Sequence, residues 1–321
     1  MKLLFGLALV AALAACDPFG LPSTRALESG AASMFTTAQS YEMKGSYTSA
    51  GTMWTVDLQF TRPNTRHITV ASASEQVEAI VIGGDAYFRG QAFLAKHLGS
   101  DPLSQSIAKA AGNAWWQDNA GLVPTFQDLT SESAFRANFL GPAVDRRIDH
   151  QQVEGVDAVE LSGRRADVYI ESASPHRLLR IRLKDGVVVD GIADADLRFS
   201  SVDHDFGITA PTDVINFNNL STLPPVYTVS SIDTSACGSP CVVSAKLKNL
   251  GGTVGARAHS TVTFTMTDPI SKQALGTCTA TVEIDVGYNS STTVSCAINA
   301  MPVNGAVVTA TVENPGHQSP P

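Results

Sequence analysis

The stretch Trp54-Thr55-Val56-Asp57-Leu58-Gln59-Phe60 alternates large apolar side chains with polar ones. Successive side chains of a β-strand point to opposite faces, so a period of two predicts a strand with one buried face and one wet face. The same period recurs in Arg66-His67-Ile68-Thr69-Val70 and in Gln76-Val77-Glu78-Ala79-Ile80-Val81-Ile82. Gly83-Gly84-Asp85 then turns the chain into Ala86-Tyr87-Phe88. Such runs, punctuated by Pro, Asn and Gly, predict successive antiparallel strands. Further strands are read at 156–161, 167–170, 178–183 and 194–200.

Upstream of this stretch the period changes. Leu27, Ala31, Met34, Phe35 and Ala38 recur at helical spacing. They predict a helix over 24–40, with Ser23 or Thr24 as its N-cap. The middle, 91–140, reads as short helices. Asp101-Pro102 puts proline at a first helical position, and Leu103, Ile107 and Ala110 then share a face. Trp115-Trp116 interrupts, and 131–140 is a further helix with Phe135 and Phe139 one turn apart. The first domain, 23–217, is therefore strands, helical insert, strands.

Asn216 to Pro225 is rich in Asn, Ser and Thr and holds Pro224-Pro225, so 218–226 reads as a linker. Beyond it the chain is rich in Thr, Ser and Val, as in Ser260-Thr261-Val262-Thr263-Phe264-Thr265-Met266. Frequent short strands without a helix predict a small β-sandwich over 227–313. The polar, Pro-rich tail, 314–321, is expected to be disordered.

Composition supports two cores. The chain has 321 residues, 44% hydrophobic and 16% charged, which excludes global disorder. Its 22 basic and 30 acidic residues give a net charge of −8, with no run of Lys and Arg, which argues against nucleic-acid binding.

The N-terminus, MKLLFGLALVAALAAC, has one cation, Lys2, and an unbroken apolar run from Leu3 to Ala15. That run has the length of a signal-peptide core and is too short to span a bilayer. It ends in Leu13-Ala14-Ala15-Cys16, which resembles the lipobox of bacterial lipoproteins. The resemblance implies a signal peptide over 1–15, cleavage before Cys16, diacylglyceryl transfer to its thiol and a tether over 16–22. Two or three acyl chains anchor stably. Cell membrane or cell surface is the expected location, after export. The other four cysteines, Cys237, Cys241, Cys278 and Cys296, form an even set in an exported chain and read as two disulfides. Three pairings are possible. Zinc is the weaker alternative, because Cys237-Gly-Ser-Pro-Cys241 lacks the two-residue knuckle and has no nearby His.

Several motifs, taken in order, carry a family resemblance. They are Met43-Lys44-Gly45-Ser46-Tyr47-Thr48, then 77–87 ending in Gly83-Gly84-Asp85-Ala86-Tyr87, then Trp115-Trp116. The segment 168–181, with Ser174-Pro175-His176, and Ile208-Thr209-Ala210-Pro211 complete the set. Together with the lipobox they resemble the LolA-like lipoprotein domain of the LppX/LprG type. The resemblance implies an α+β half-barrel, a curved antiparallel sheet with helices in its concave face, whose apolar cavity holds lipid or lipoglycan acyl chains. Val56, Leu58, Phe60, Val70, Val81 and Ile181 would line it, under a wall made by the small-residue stretch 107–112. The competing expectation is a filled core that binds nothing small and a structural or adhesion role. The second domain resembles Ig-like modules of the FxLYD and CARDB kind, through Lys248-Asn249-Leu250-Gly251-Gly252. Such modules space domains or bind proteins. The resemblance places Cys278 and Cys296 face to face on paired strands; Cys237 and Cys241 are expected to pair separately, closing the tight Gly-Ser-Pro loop between them.

No catalytic residue, cofactor or metal is expected. There is no Gly-x-Ser-x-Gly elbow and no free Cys-His pair. Asp190, Asp194, Asp196 and Asp203-His204-Asp205 miss the calcium-loop spacing and read as solvated faces. Asp149-His150, Arg146-Arg147 and Arg164-Arg165 read as turn charges.

Overall fold

The computed structural model describes residues 20–122, 124–301 and 303–318. It opens with helix α1 (Thr24–Thr37) and strands β1 (Ser40–Ser49), β2 (Thr52–Thr61), β3 (Thr65–Ala71), β4 (Gln76–Ile82) and β5 (Asp85–Arg89). Helices α2 (Gln91–Leu98) and α3 (Pro102–Ala111), strand β6 (Trp115–Asn119) and helices α4 (Gln127–Thr130) and α5 (Glu132–Phe139) follow. Strands return as β7 (Val144–Val153), β8 (Val156–Gly163), β9 (Ala166–Glu171), β10 (Leu178–Leu183), β11 (Ala193–Ser200) and β12 (Val214–Ile215). The last are β13 (Tyr227–Asp233), β14 (Cys241–Asn249), β15 (Thr261–Thr267), β16 (Ala274–Thr281), β17 (Ser291–Ile298) and β18 (Val307–Glu313). The protein is mostly β, with one large curved sheet that does not close and two small sheets.

The chain divides into two compact units. One holds the described residues up to Gly84 together with 120–209, and the other holds 85–119 together with 210 onward. In the first unit the strands run β4-β3-β2-β1-β11-β10-β9-β8-β7, each antiparallel to its neighbours. The register aligns apolar side chains into rows. Val56 pairs with Val70, and Val70 with Val77. Leu58 lies between Met43 and Ile68. On the far side of β1, Leu197 pairs with Ile181 and Ile181 with Val168. These side chains are buried, which is the one-faced pattern that the period of two calls for.

Helix α1 covers part of this face. Ser23 caps it, its hydroxyl accepting from the Ala26 N–H at 3.2 Å. The Phe35 ring meets Tyr41, Phe135 and Phe199 at centroid distances of 5.9, 5.2 and 5.8 Å. Gly30 lets the helix sit on the 174–176 turn, because a Cβ there would come within 2.3 Å of the Pro175 carbonyl oxygen. The helix stops at Thr37 rather than running to residue 40. Ala38 is extended, and Arg62 donates to the Ala38 and Phe35 carbonyls at 2.6 and 2.5 Å. β1 begins directly after it.

Arg146, Arg147, Asp149 and His150 lie on β7 and not in a turn. β7 is the last strand in the sheet order, and charges on an edge strand keep its free side from pairing with another chain. Arg147 pairs with Asp149 at 2.7 Å, and Arg146 with Glu160 at 3.7 Å.

In the second unit, Asp101 caps α3 with Pro102 at its start, as the spacing predicts. Trp115-Trp116 opens β6, which pairs with β5 and β12. The sheets β13-β14-β17 and β16-β15-β18 share one core, including Val243, Leu247, Val262, Phe264, Met266 and Ile298. Cysteine pairs Cys237–Cys241 and Cys278–Cys296 form disulfides, with Cα atoms 4.0 and 6.1 Å apart. The second bridge corrects one expectation. Cys278 pairs across β16 and β15 with Phe264, whereas Cys296 pairs across β17 and β14 with Val243. The two cysteines therefore sit on edge strands of different sheets, and the bridge ties the sheets together beside their shared core instead of closing a hairpin.

Asn249 is fully buried and uses its whole amide. Its Oδ1 accepts from the Val226 and Gly251 N–H groups at 2.9 and 3.0 Å. Its Nδ2 donates to the Gly252 and Val286 carbonyls at 2.8 and 2.6 Å. A Cβ on Gly251 would lie 1.9 Å from the Pro224 carbonyl oxygen, so the turn read from Asn249-Leu250-Gly251-Gly252 needs glycine for close approach. Part of the tail differs from a disordered segment. Asn314 accepts from the Tyr227 N–H at 2.9 Å, and the His317 N–H donates to the Ala110 carbonyl at 2.7 Å.

Candidate binding cavity

The six expected lining residues separate into two groups. Val56, Val70, Val81 and Ile181 are buried within the apolar face. Leu58 and Phe60, two residues apart on β2, line a partly open cavity of about 200 Å³ inside the first unit. Phe35 from α1 and Tyr41 from β1 add two more apolar walls, and the Tyr41 and Phe60 rings stack at 5.1 Å. Asn64, Arg66, Thr125, Gln127, Thr130 and Ser131 close the polar side. The helical wall therefore comes from α1, α4 and the start of α5. The small-residue stretch 107–112 belongs to the other unit, where Ala110 accepts from His317.

Arg66 is the residue that sequence reasoning passed over. The register puts Tyr41 opposite Phe60, Phe60 opposite Arg66, and Arg66 opposite Val81. On β3, Arg66 is in phase with the buried Ile68 and Val70. The alternation calls for an apolar side chain there. That phase was visible in Arg66-His67-Ile68-Thr69-Val70. The other basic side chains nearby are engaged. Arg62 is spent on the α1 carbonyls, and His67, one residue on and facing the opposite side, pairs with Glu78 at 2.8 Å. The Arg66 Nε is buried without a hydrogen-bond partner, and among the described residues no carboxylate pairs with this guanidinium.

Burial sets the ionisation here. It pushes the Tyr41 hydroxyl up to about 12, with Thr130 and the Arg62 and Arg66 charges pulling the other way. Burial also pulls the Arg66 guanidinium below its ordinary value, opposed by Tyr41. At neutral pH Tyr41 keeps its proton and Arg66 keeps its charge. The cavity thus offers aromatic and aliphatic walls, one phenol and one guanidinium. An apolar cavity of about 150 Å³ takes one benzene, so this one has room for a ring or a short alkyl chain.

Two other cavities are differently built. One of about 240 Å³ lies among Glu154, Glu171, Arg177 and Phe199, and one of about 410 Å³ among Gln117, Asp118, Asn119 and Asn216 to Asn218. Four of the acidic residues weighed for metal binding have protein partners, Asp205 through the Gly207 N–H at 2.9 Å. Asp196 accepts from the Arg180 Nε at 2.7 Å, Asp203 from the Gln39 N–H at 2.8 Å and Asp190 from the Asp128 N–H at 2.7 Å. Among the described residues, no group of three or more His, Cys, Asp or Glu is placed to hold a metal ion, and no helix is long and apolar enough to cross a membrane. The signal peptide, Cys16 and the start of the tether lie outside the described residues.

No family model matches the chain, and no curated protein matches it. Among solved structures, it is similar to MucB in complex with MucA(peri), at 12% identity, covering 87% of this chain and 93% of that one. The TM-score is 0.26, a level that establishes no common fold.

Proposed function

We propose that this protein is an exported lipoprotein, anchored through acylated Cys16, whose first unit binds one small amphiphile. In this reading the first unit is an α+β half-barrel of the LolA-like type. The second carries an Ig-like sandwich that acts as a spacer or a protein-contact module. Two disulfides support export, because such bonds persist in oxidising compartments. The observation that carries the binding role is the cavity over Leu58 and Phe60, with apolar walls and a polar rim. Affinity would come from burying the apolar part of the ligand, at about 25 cal/mol per Å².

A second reading has its own observation. Val56, Val70, Val81 and Ile181 are packed side chains, which favours a filled core and a structural or adhesion role. The two readings part in native mass spectrometry of the full chain, purified without added lipid. The binding role predicts a population carrying one small organic molecule, displaced on adding excess octanoate. Bare protein alone, with no adduct on adding octanol or octanoate, would leave the filled core.

A further inference from the structure

We infer that the ligand of this cavity carries a carboxylate or phosphate on a short apolar or aromatic body, and that Arg66 holds that anionic group. The inference rests on the binding role proposed above and narrows its ligand class.

Three observations converge. The first is position. Arg66 occupies an inward phase of a central strand, opposite Phe60 on one side and Val81 on the other. An uncompensated cation in such a row costs free energy, and an apolar residue would remove that cost. The second is the lack of a partner. Its Nε is buried with no acceptor, although arginine presents five donors suited to planar oxyanions. The third is the local charge. No carboxylate lines the cavity, while the chain as a whole is acidic at −8. A positive wall on an acidic protein is a local feature of this site. The size then limits the rest of the ligand. About 200 Å³ takes a ring or a short chain beside Leu58 and Phe60, with the charged end toward Arg66 and the Tyr41 hydroxyl as a neutral donor.

The chemistry is shared by carboxylates and phosphate monoesters, so both are tested. Isothermal titration of the full chain uses octanoate, octyl phosphate and octanol, on the parent and on Arg66→Gln and Arg66→Lys. The parent should bind at least one anion about 10- to 100-fold more tightly than octanol. Whichever of octanoate and octyl phosphate binds tighter identifies the headgroup. Arg66→Gln should lose that preference and keep octanol within about threefold, and Arg66→Lys should retain part of it. Equal binding of all three probes by the parent overturns the inference and leaves the amphiphile reading intact. An anion preference that survives in a folded Arg66→Gln overturns the role of Arg66. Binding of none of the three overturns both the inference and the reading beneath it. Should Arg66→Gln fail to fold, the parent comparison and Arg66→Lys still decide the matter.

Discussion

Phe60 and Arg66 stand directly opposite one another across β2 and β3, an aromatic ring stacked on Tyr41 beside a guanidinium whose buried Nε has no acceptor. The same row continues to Tyr41 on β1 and Val81 on β4. One charged position in an otherwise apolar row decides where the first unit departs from a simple core. Replacing Arg66 with Met should therefore raise stability, because it fills the position without a half-buried charge whose Nε has no acceptor. An increase of about 1 kcal/mol or more in urea unfolding is expected, and a decrease of that size would mean the guanidinium has a structural role here.

Asn249 should be the most sensitive polar position of the second unit. Asn249→Ala removes four hydrogen bonds and leaves buried donors and acceptors unpaired. A loss of about 3 kcal/mol or more is expected in chemical denaturation. A loss under about 1 kcal/mol would show that the turn relaxes to satisfy these groups otherwise.

The bridge between Cys278 and Cys296 joins two sheets around one core. The double variant Cys278→Ser, Cys296→Ser should lose about 2 to 4 kcal/mol. Cleavage of Cys237–Cys241, which closes a short loop, should cost less. Non-reducing peptide maps that join Cys241 to Cys278 or Cys296 would contradict both assignments.

Acid should weaken the first unit partly through Asp196. Hydrogen bonds from Arg180 hold its carboxyl below the ordinary value of 3.8, against the cost of burial, with the nearby arginine charges helping. The charged form is favoured in the folded protein. Its contribution is present above about pH 4 and is lost as pH falls through the lowered value. Asp196→Asn should give a flatter stability curve than the parent below pH 4 and the two should differ by a constant amount above it. Parallel curves throughout would remove Asp196 from the acid response.

Much of the first unit was legible because its strands bury one face. Trp54 to Phe60 lies wholly within β2, and the phases of Val56, Leu58, Val70 and Val81 match their burial. β1 was not read as a strand, because Gly45 interrupts the alternation of Tyr41, Met43 and Tyr47, the apolar spacing of α1 runs on to Ala38, and the break depends on Arg62, 24 residues away, reaching the Ala38 carbonyl. β7 was hidden by its own edge position, where charges replace the alternation that marks a half-buried strand. The polar half of the cavity comes from residues 64–66 and 125–131, which no local pattern links. The sheet assignment of Cys278 and Cys296 depends on β15 lying between β16 and β18, a pairing over long sequence distance.

The most direct measurement is on Leu58→Trp, whose indole would enter the cavity that Leu58 borders. Bound small molecule and thermal midpoint are read on the same preparation as the parent. The binding role predicts that the parent carries a ligand, that the variant has lost it, and that the midpoint stays close to that of the ligand-free parent. A parent with no ligand and a variant destabilised by about 1 to 3 kcal/mol through overpacking would contradict it.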